Sequence, residues 1–139
     1  MDISTALDFV REHPRVVLVT LKRDGRPQLS NVASAVGDDG TIRISITADR
    51  AKARNLARDP RASVHATRED FYAYVVVEGD AELSPVTTDP HDATADELVD
   101  LYRAIAGEHP DWEDYRAAMV QDARQVIRIR PTHAYGMLP

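Results

Sequence analysis

Apolar and polar residues alternate in short runs over much of this chain, and a period of two predicts strands. The clearest run sets Ile42, Ile44 and Ile46 against Arg43, Ser45 and Thr47. Before it, Arg15 to Leu21 (RVVLVTL) is apolar enough for a largely buried strand, and Gln28 to Val36 makes the next. Ala62, Val64 and Ala66 mark a fourth strand, Tyr74 to Leu83 a fifth with Gly79 as a candidate bulge, and Val126 to Ile129 the last. Asp24-Gly25 and Asp38-Asp39-Gly40 are turn signals that join the first three strands into an antiparallel meander.

Helical spacing fills the gaps. A first helix is expected from Thr5 to Glu12, with Thr5 and Asp8 at capping-box spacing and Pro14 as its stop. Asp49 is placed to cap a short helix, Arg50 to Arg58, closed by Asp59-Pro60. Thr94 and Glu97 predict a further capping box ahead of Leu98, Leu101, Tyr102 and Ile105, with Gly107 ending that helix. Pro110 then suits the start of a helix whose apolar stripe is Trp112, Tyr115 and Met119, which reads as packing. Consecutive strands joined by tight turns predict a mainly β fold, an antiparallel barrel with peripheral helices, as a single domain over residues 1–139. A barrel of five or six such strands is filled by its own side chains. A binding site is therefore expected outside it, between barrel and helices or between two subunits.

Charge sharpens this. The net charge of −6 argues against a general nucleic-acid binder. It is unevenly spread: Lys22 to Arg68 carries ten Lys/Arg and five Asp/Glu, whereas Glu78 to Asp122 carries two and thirteen. The basic stretch is either reserved for a small anionic ligand or is one of two opposite faces that aid solubility or pair across a dimer. There are no cysteines, hence no disulfides, thiolate metal sites or thiol nucleophiles. No basic-then-apolar leader opens the chain and no run approaches the ~18 apolar residues of a membrane span, so a cytoplasmic protein is expected.

Arg50, Lys52, Arg54 and Asn55 are the densest polar cluster. Two cations beside a helix start can hold a phosphate, or can simply be a solvated helix face. Gln28, Ser30 and Asn31 on one strand either meet the donor and acceptor edge of a heterocycle or are ordinary outward-facing residues. Phe71, Tyr72 and Tyr74 at a strand entrance can stack on a ring or pack a core or interface. The five histidines show no metal-ligand spacing, and no Gly-x-Ser-x-Gly or Gly-rich phosphate loop is present.

These segments carry a resemblance. Asp24-Gly25-Arg26-Pro27-Gln28-Leu29-Ser30-Asn31-Val32 resembles the early hairpin of the pyridoxamine 5′-phosphate oxidase-like proteins. Arg50-Ala51-Lys52-Ala53-Arg54-Asn55-Leu56 followed by Asp59-Pro60-Arg61-Ala62-Ser63 resembles their phosphate-binding segment. Ile105-Ala106-Gly107-Glu108-His109, Asp111-Trp112, Asp114-Tyr115-Arg116 and Pro131-Thr132-His133-Ala134-Tyr135-Gly136 are similar to the actinobacterial deazaflavin-dependent branch. The resemblance implies a split β-barrel homodimer with cofactor at the subunit interface: coenzyme F420, with FMN as the alternative. It implies that Arg50, Lys52 and Asn55 hold the cofactor phosphate region, that Gln28, Leu29, Ser30 and Asn31 run along the ring and its side chain, and that Tyr72 and Tyr74 lie near the ring. The basic C-terminal segment of classical pyridoxamine phosphate oxidases has no counterpart before Pro139. The implied activity is hydride transfer between reduced F420 and a small conjugated substrate. The alternatives are an FMN-dependent oxidase or reductase and a non-catalytic F420 or flavin store or sensor. No catalytic acid is assigned; Tyr74 and His133 are the candidates.

Overall fold

The computed structural model describes residues 1–139. Seven strands form one antiparallel sheet: β1 (Arg15–Leu21), β2 (Pro27–Ala33), β3 (Ala35–Val36), β4 (Ile42–Thr47), β5 (Arg61–Thr67), β6 (Tyr74–Leu83) and β7 (Arg124–Met137). Their order across the sheet is β2-β1-β5-β6-β7-β4-β3. The sheet curls until β2 approaches β4 without pairing to it, and this gap is the split of a split β-barrel. Alternation decides what lies inside: Leu18, Ile44, Ile46, Val64, Val75, Val77, Ile127 and Ile129 are all buried in the core.

The predicted second strand breaks in two at Ser34. That residue is buried, and both its N–H (2.8 Å) and its hydroxyl (3.0 Å) donate to the Pro14 carbonyl, which takes it out of the ladder. The last strand runs well past the expected Ile129. Apolar alternation lapses at Arg130 and Pro131, yet the backbone stays paired to β6 as far as Met137. The register slips at Glu78/Gly79, the expected bulge. A Cβ on Gly79 would stand 2.2 Å from the Arg130 carbonyl oxygen, so only glycine allows the two strands this approach.

Four helices cover the barrel: α1 (Ile3–Glu12), α2 (Ala51–Arg58), α3 (Ala93–Ala106) and α4 (Trp112–Gln121). α1 buries Ala6, Leu7, Phe9 and Val10 in the main core. Helix starts differ from expectation. α1 is flanked by Asp2 rather than opened by a Thr5 box, and Asp8 pairs with Arg11 instead. α3 is capped by Asp92, whose carboxylate accepts from the Ala95 N–H at 2.8 Å, while the Thr94 hydroxyl donates to Pro85. α3 and α4 lie over β4 and β7, where Leu98, Met119 and Val126 form a second small core. Tyr115 packs there, its ring centroid 5.6 Å from that of Trp112, and its hydroxyl donates to the Leu98 carbonyl. No helix is long and apolar enough to cross a membrane.

Candidate functional site

The chain leaves β4 at Thr47 and crosses the mouth of the barrel as α2 before entering β5. This crossing brings the basic segment to the split. Arg50, not Asp49, is the N-cap, and Lys52 is in the first turn. The Asp49 carbonyl instead accepts from Arg54, whose side chain turns back along the helix start. A cavity of about 380 Å³ opens here, with Asn31 and Ala33 of β2 on one side and Ser45 and Thr47 of β4 on the other. Arg50 and Lys52 enter it from α2, and Arg124 from the first residue of β7.

Three cations thus line one cavity, and no carboxylate forms a salt bridge with any of them. Burial, then the charges of Arg50 and Arg124, push the Lys52 ammonium below its ordinary pKa. An anion entering the cavity restores that charge, so binding and protonation of Lys52 reinforce one another. The first-turn N–H groups of α2 add donors of the same sign. The arrangement fits a phosphate-bearing group.

Arg124 has no sequence neighbour that signals a site. Antiparallel pairing of β4 with β7 sets it opposite Thr47, and this alone carries it to Lys52. In the sequence its one mark is position: a cation at the mouth of an apolar strand.

Asn55, which the resemblance implies at the cofactor phosphate, lies on the inner side of α2. It is 7% exposed, and its amide donates to Thr20 (3.1 Å) and to the Gln28 side chain (2.9 Å). Its donors are spent inside the protein, so it ties α2 to the β1–β2 hairpin and holds Gln28. Gln28 and Ser30 share the barrel face of β2, whereas Leu29 and Asn31 point outward. Of these four, Asn31 lines the cation cavity.

Outward-facing residues form a lattice across five strands. One row in register is Asn31, Val17, His65, Val76 and Tyr135; its neighbours are Ala33, Arg15, Thr67, Tyr74 and Met137 on one side and Leu29, Val19, Ser63, Glu78 and His133 on the other. Leu29 is 61% exposed, Tyr135 45% and Met137 54%, so this sheet face presents apolar surface to solvent. A second cavity of about 540 Å³ lies on it, walled by Val17 and Ala33 and rimmed by Arg15, Asn31 and His65. Asn31 and Ala33 border both cavities, so the edge of β2 separates the cation cavity from an apolar one. Tyr74 lies on this face, its ring 5.5 Å from that of His65. Tyr72 is not on it: with Phe71 it stands exposed on the β5–β6 turn, where Phe71 takes a φ of 73°. Tyr74 and His133 are not brought together, since His133 pairs with Glu78, four residues along β6. No three His, Asp or Glu side chains converge as a metal site.

Known structures repeat this architecture. A conserved hypothetical protein from Mycobacterium tuberculosis superposes with a TM-score of 0.74 at 27% identity, covering 98% of this chain and 84% of its own. A protein described as an F420 reductase gives 0.63 at 29% identity, covering 91% and 93%. A heme-binding protein from Mycobacterium smegmatis gives 0.70 at 21% identity over 99% of this chain and 54% of its own; at that identity the likeness is one of fold alone. The family model for pyridoxamine 5′-phosphate oxidase matches residues 4–138, so a split barrel with a cationic cavity at its split is here the fold of a member of the pyridoxamine 5′-phosphate oxidase family.

Proposed function

We propose that this chain is an F420-dependent oxidoreductase that works as a homodimer on a small conjugated organic substrate. One observation carries the reading: an acid-free cation cavity meets an apolar, outward-facing cavity across the edge of a single strand. A ligand with an acidic tail and a planar ring needs those two environments side by side. The 29% identity to an F420 reductase over most of both chains supports the deazaflavin over FMN.

In this reading Arg50 and Lys52 hold the phosphate, with the α2 N–H groups behind them. Asn31 stands where tail and ring join and orients the ring through its amide. Gln28, fixed by Asn55, and Ser30 support β2 from its barrel face, while Leu29, Val17 and Tyr74 exclude water from the ring's faces. When bound, the deazaflavin supplies two-electron hydride chemistry, so the chain's task is to position ring and substrate. No catalytic acid is required. The dimer has separate support. Leu29, Tyr135 and Met137 leave an apolar sheet face that a second copy would cover, closing the ring site at the interface, and the exposed turn aromatics Phe71 and Tyr72 offer further apolar surface to a partner.

Titration with F420 and FMN side by side tests the cofactor. Tighter F420 binding is expected, together with reoxidation of reduced F420 that requires both protein and a quinone, enone or tetrapyrrole-like acceptor. Preferential FMN binding would overturn the cofactor assignment. F420 binding without turnover would point to a store or sensor. Sedimentation at micromolar concentration should show twice the 15.5 kDa chain; a monomer alone would sink the dimer.

A further inference from the structure

Arg124 is the one side chain whose polar atom is buried without any hydrogen-bond partner: its Nε has none. Its Nη1 reaches only Ser45 Oγ, at 3.5 Å, and no carboxylate bridges it. A guanidinium has five donors, and here nearly all lack a protein acceptor. The groups around it make this harder to explain as packing. Lys52 is a like charge close enough to be perturbed by it, and Tyr115 is a phenol whose hydroxyl is committed to Leu98. Neither accepts a hydrogen bond from it. Leaving such a donor buried and unmet is costly unless something else meets it.

Its position says what. Arg124 enters the cavity from β7, while Arg50 and Lys52 enter from the start of α2. An anion in that space is met from the helix and from the sheet. We propose that Arg124 is a third ligand to the bound anion, gripping it from the sheet side, and that the group held there carries two negative charges. This rests on the reading of the cavity as the cofactor's phosphate site. Against three cations a monoanion leaves much of the repulsion among them uncompensated, while a dianion offsets most of it. Two ligands offer that charge: a phosphomonoester dianion, as in FMN, or a phosphodiester with a carboxylate close by, as a tailed deazaflavin carries.

The test pairs ligands with and without the acidic tail. Wild type, Arg124→Met, Arg124→Gln and Lys52→Ala are titrated with FMN, riboflavin, F420 and the phosphate-free deazaflavin. Methyl phosphate and dimethyl phosphate serve as competitors. Both Arg124 variants should bind the tailed cofactor about tenfold or more weakly and the tail-free ring as wild type does. Methyl phosphate should displace the tailed cofactor better than dimethyl phosphate. Whether FMN or F420 suffers the larger loss says which source of the double charge the site is built for. Thermal melting checks folding. Titration of the Lys52 ammonium by NMR gives a readout independent of cofactor: its pKa should rise in Arg124→Met. If Lys52→Ala loses binding and the Arg124 variants do not, the anion site stands and the third ligand is wrong. If neither loses it, both ideas fail. Equal competition by the two phosphates would overturn the double charge.

Discussion

Two groups of arginines lie at opposite ends of the same strand pair and have opposite fates. Arg43 and Arg128 are cross-strand partners on β4 and β7; Arg124 is at the other end of that ladder, opposite Thr47. The first two are saturated with acids. Glu97 of α3 accepts from Arg43 at 3.0 Å and twice from Arg128, Asp39 takes Arg43 at 3.0 Å, and Glu82 takes Arg128 at 3.1 Å. Arg124, with Arg50 and Lys52, has no acid. Glu97 is largely buried, so that network pins α3 to the sheet. The partnerless group contributes nothing of the kind, and its like charges oppose one another. Residue type is the same in both places. What separates the two groups is whether the fold brings them a carboxylate.

The sharpest contrast comes from ligand affinity. Arg50→Ala and Lys52→Ala should each weaken cofactor binding roughly ten- to hundred-fold, since each removes a charge-assisted contact of about 1.5–3 kcal/mol. Neither should lower the melting temperature, and affinity should fall as salt rises. A double variant that binds as wild type would erase the distinction drawn here.

Glu97→Ala should do the reverse. It leaves Arg43 and Arg128 short of acceptors and should destabilise the fold by about 2–4 kcal/mol in urea unfolding, with any loss of binding secondary. Arg124→Met, removing an arginine that has no acid to strand, should leave stability unchanged or raised.

Asn55→Ala tests the boundary between the two classes. Loss of its bonds to Thr20 and Gln28 should cost about 1–3 kcal/mol. Unchanged stability with lost cofactor affinity would return Asn55 to the phosphate.

The smallest effect concerns the helix that delivers Glu97. Burial raises the Asp92 pKa, but the N–H groups of Thr88 and Ala95, the Thr87 hydroxyl and the Asp89 N–H outweigh it and hold it at about 2. A folded pKa below the unfolded value means stability that is full above the unfolded pKa near ~4 and lost as pH falls toward the folded value. Asp92→Asn should flatten the acid limb of a stability–pH curve in that window. Asp92→Ala should also cost about 1 kcal/mol at neutral pH through the lost cap.

Much of the barrel was legible from the chain. Alternation at Ile42, Ile44 and Ile46 placed β4 to the residue, and Asp24-Gly25 marked the hairpin, because one buried face and a positive φ are local demands. The bulge at Gly79 was legible as a glycine inside a strand pattern, although what demands the glycine is the Arg130 carbonyl of β7. Helix caps were less so: Asp92 and Thr94 are both good caps, and it is the Pro85 carbonyl, close only in the fold, that engages the Thr94 hydroxyl. The far half of β7 was missed because its pairing with β6 continues where its own alternation lapses.

By itself the sequence determined the position of most strands, the basic start of α2 and the absence of a thiol or phosphate-loop chemistry, since each depends on neighbours within a few residues. Tertiary structure alone decided which polar residues are free. Asn55 turned inward because α2 packs against Thr20 and Gln28, while Arg43 and Arg128 met Glu97 because α3 folds over β4 and β7. Arg124 reached Lys52 because antiparallel pairing sets residue 124 against residue 47. A charge's partner is a matter of distance in space, and strand pairing and helix docking set that distance between residues far apart in the chain.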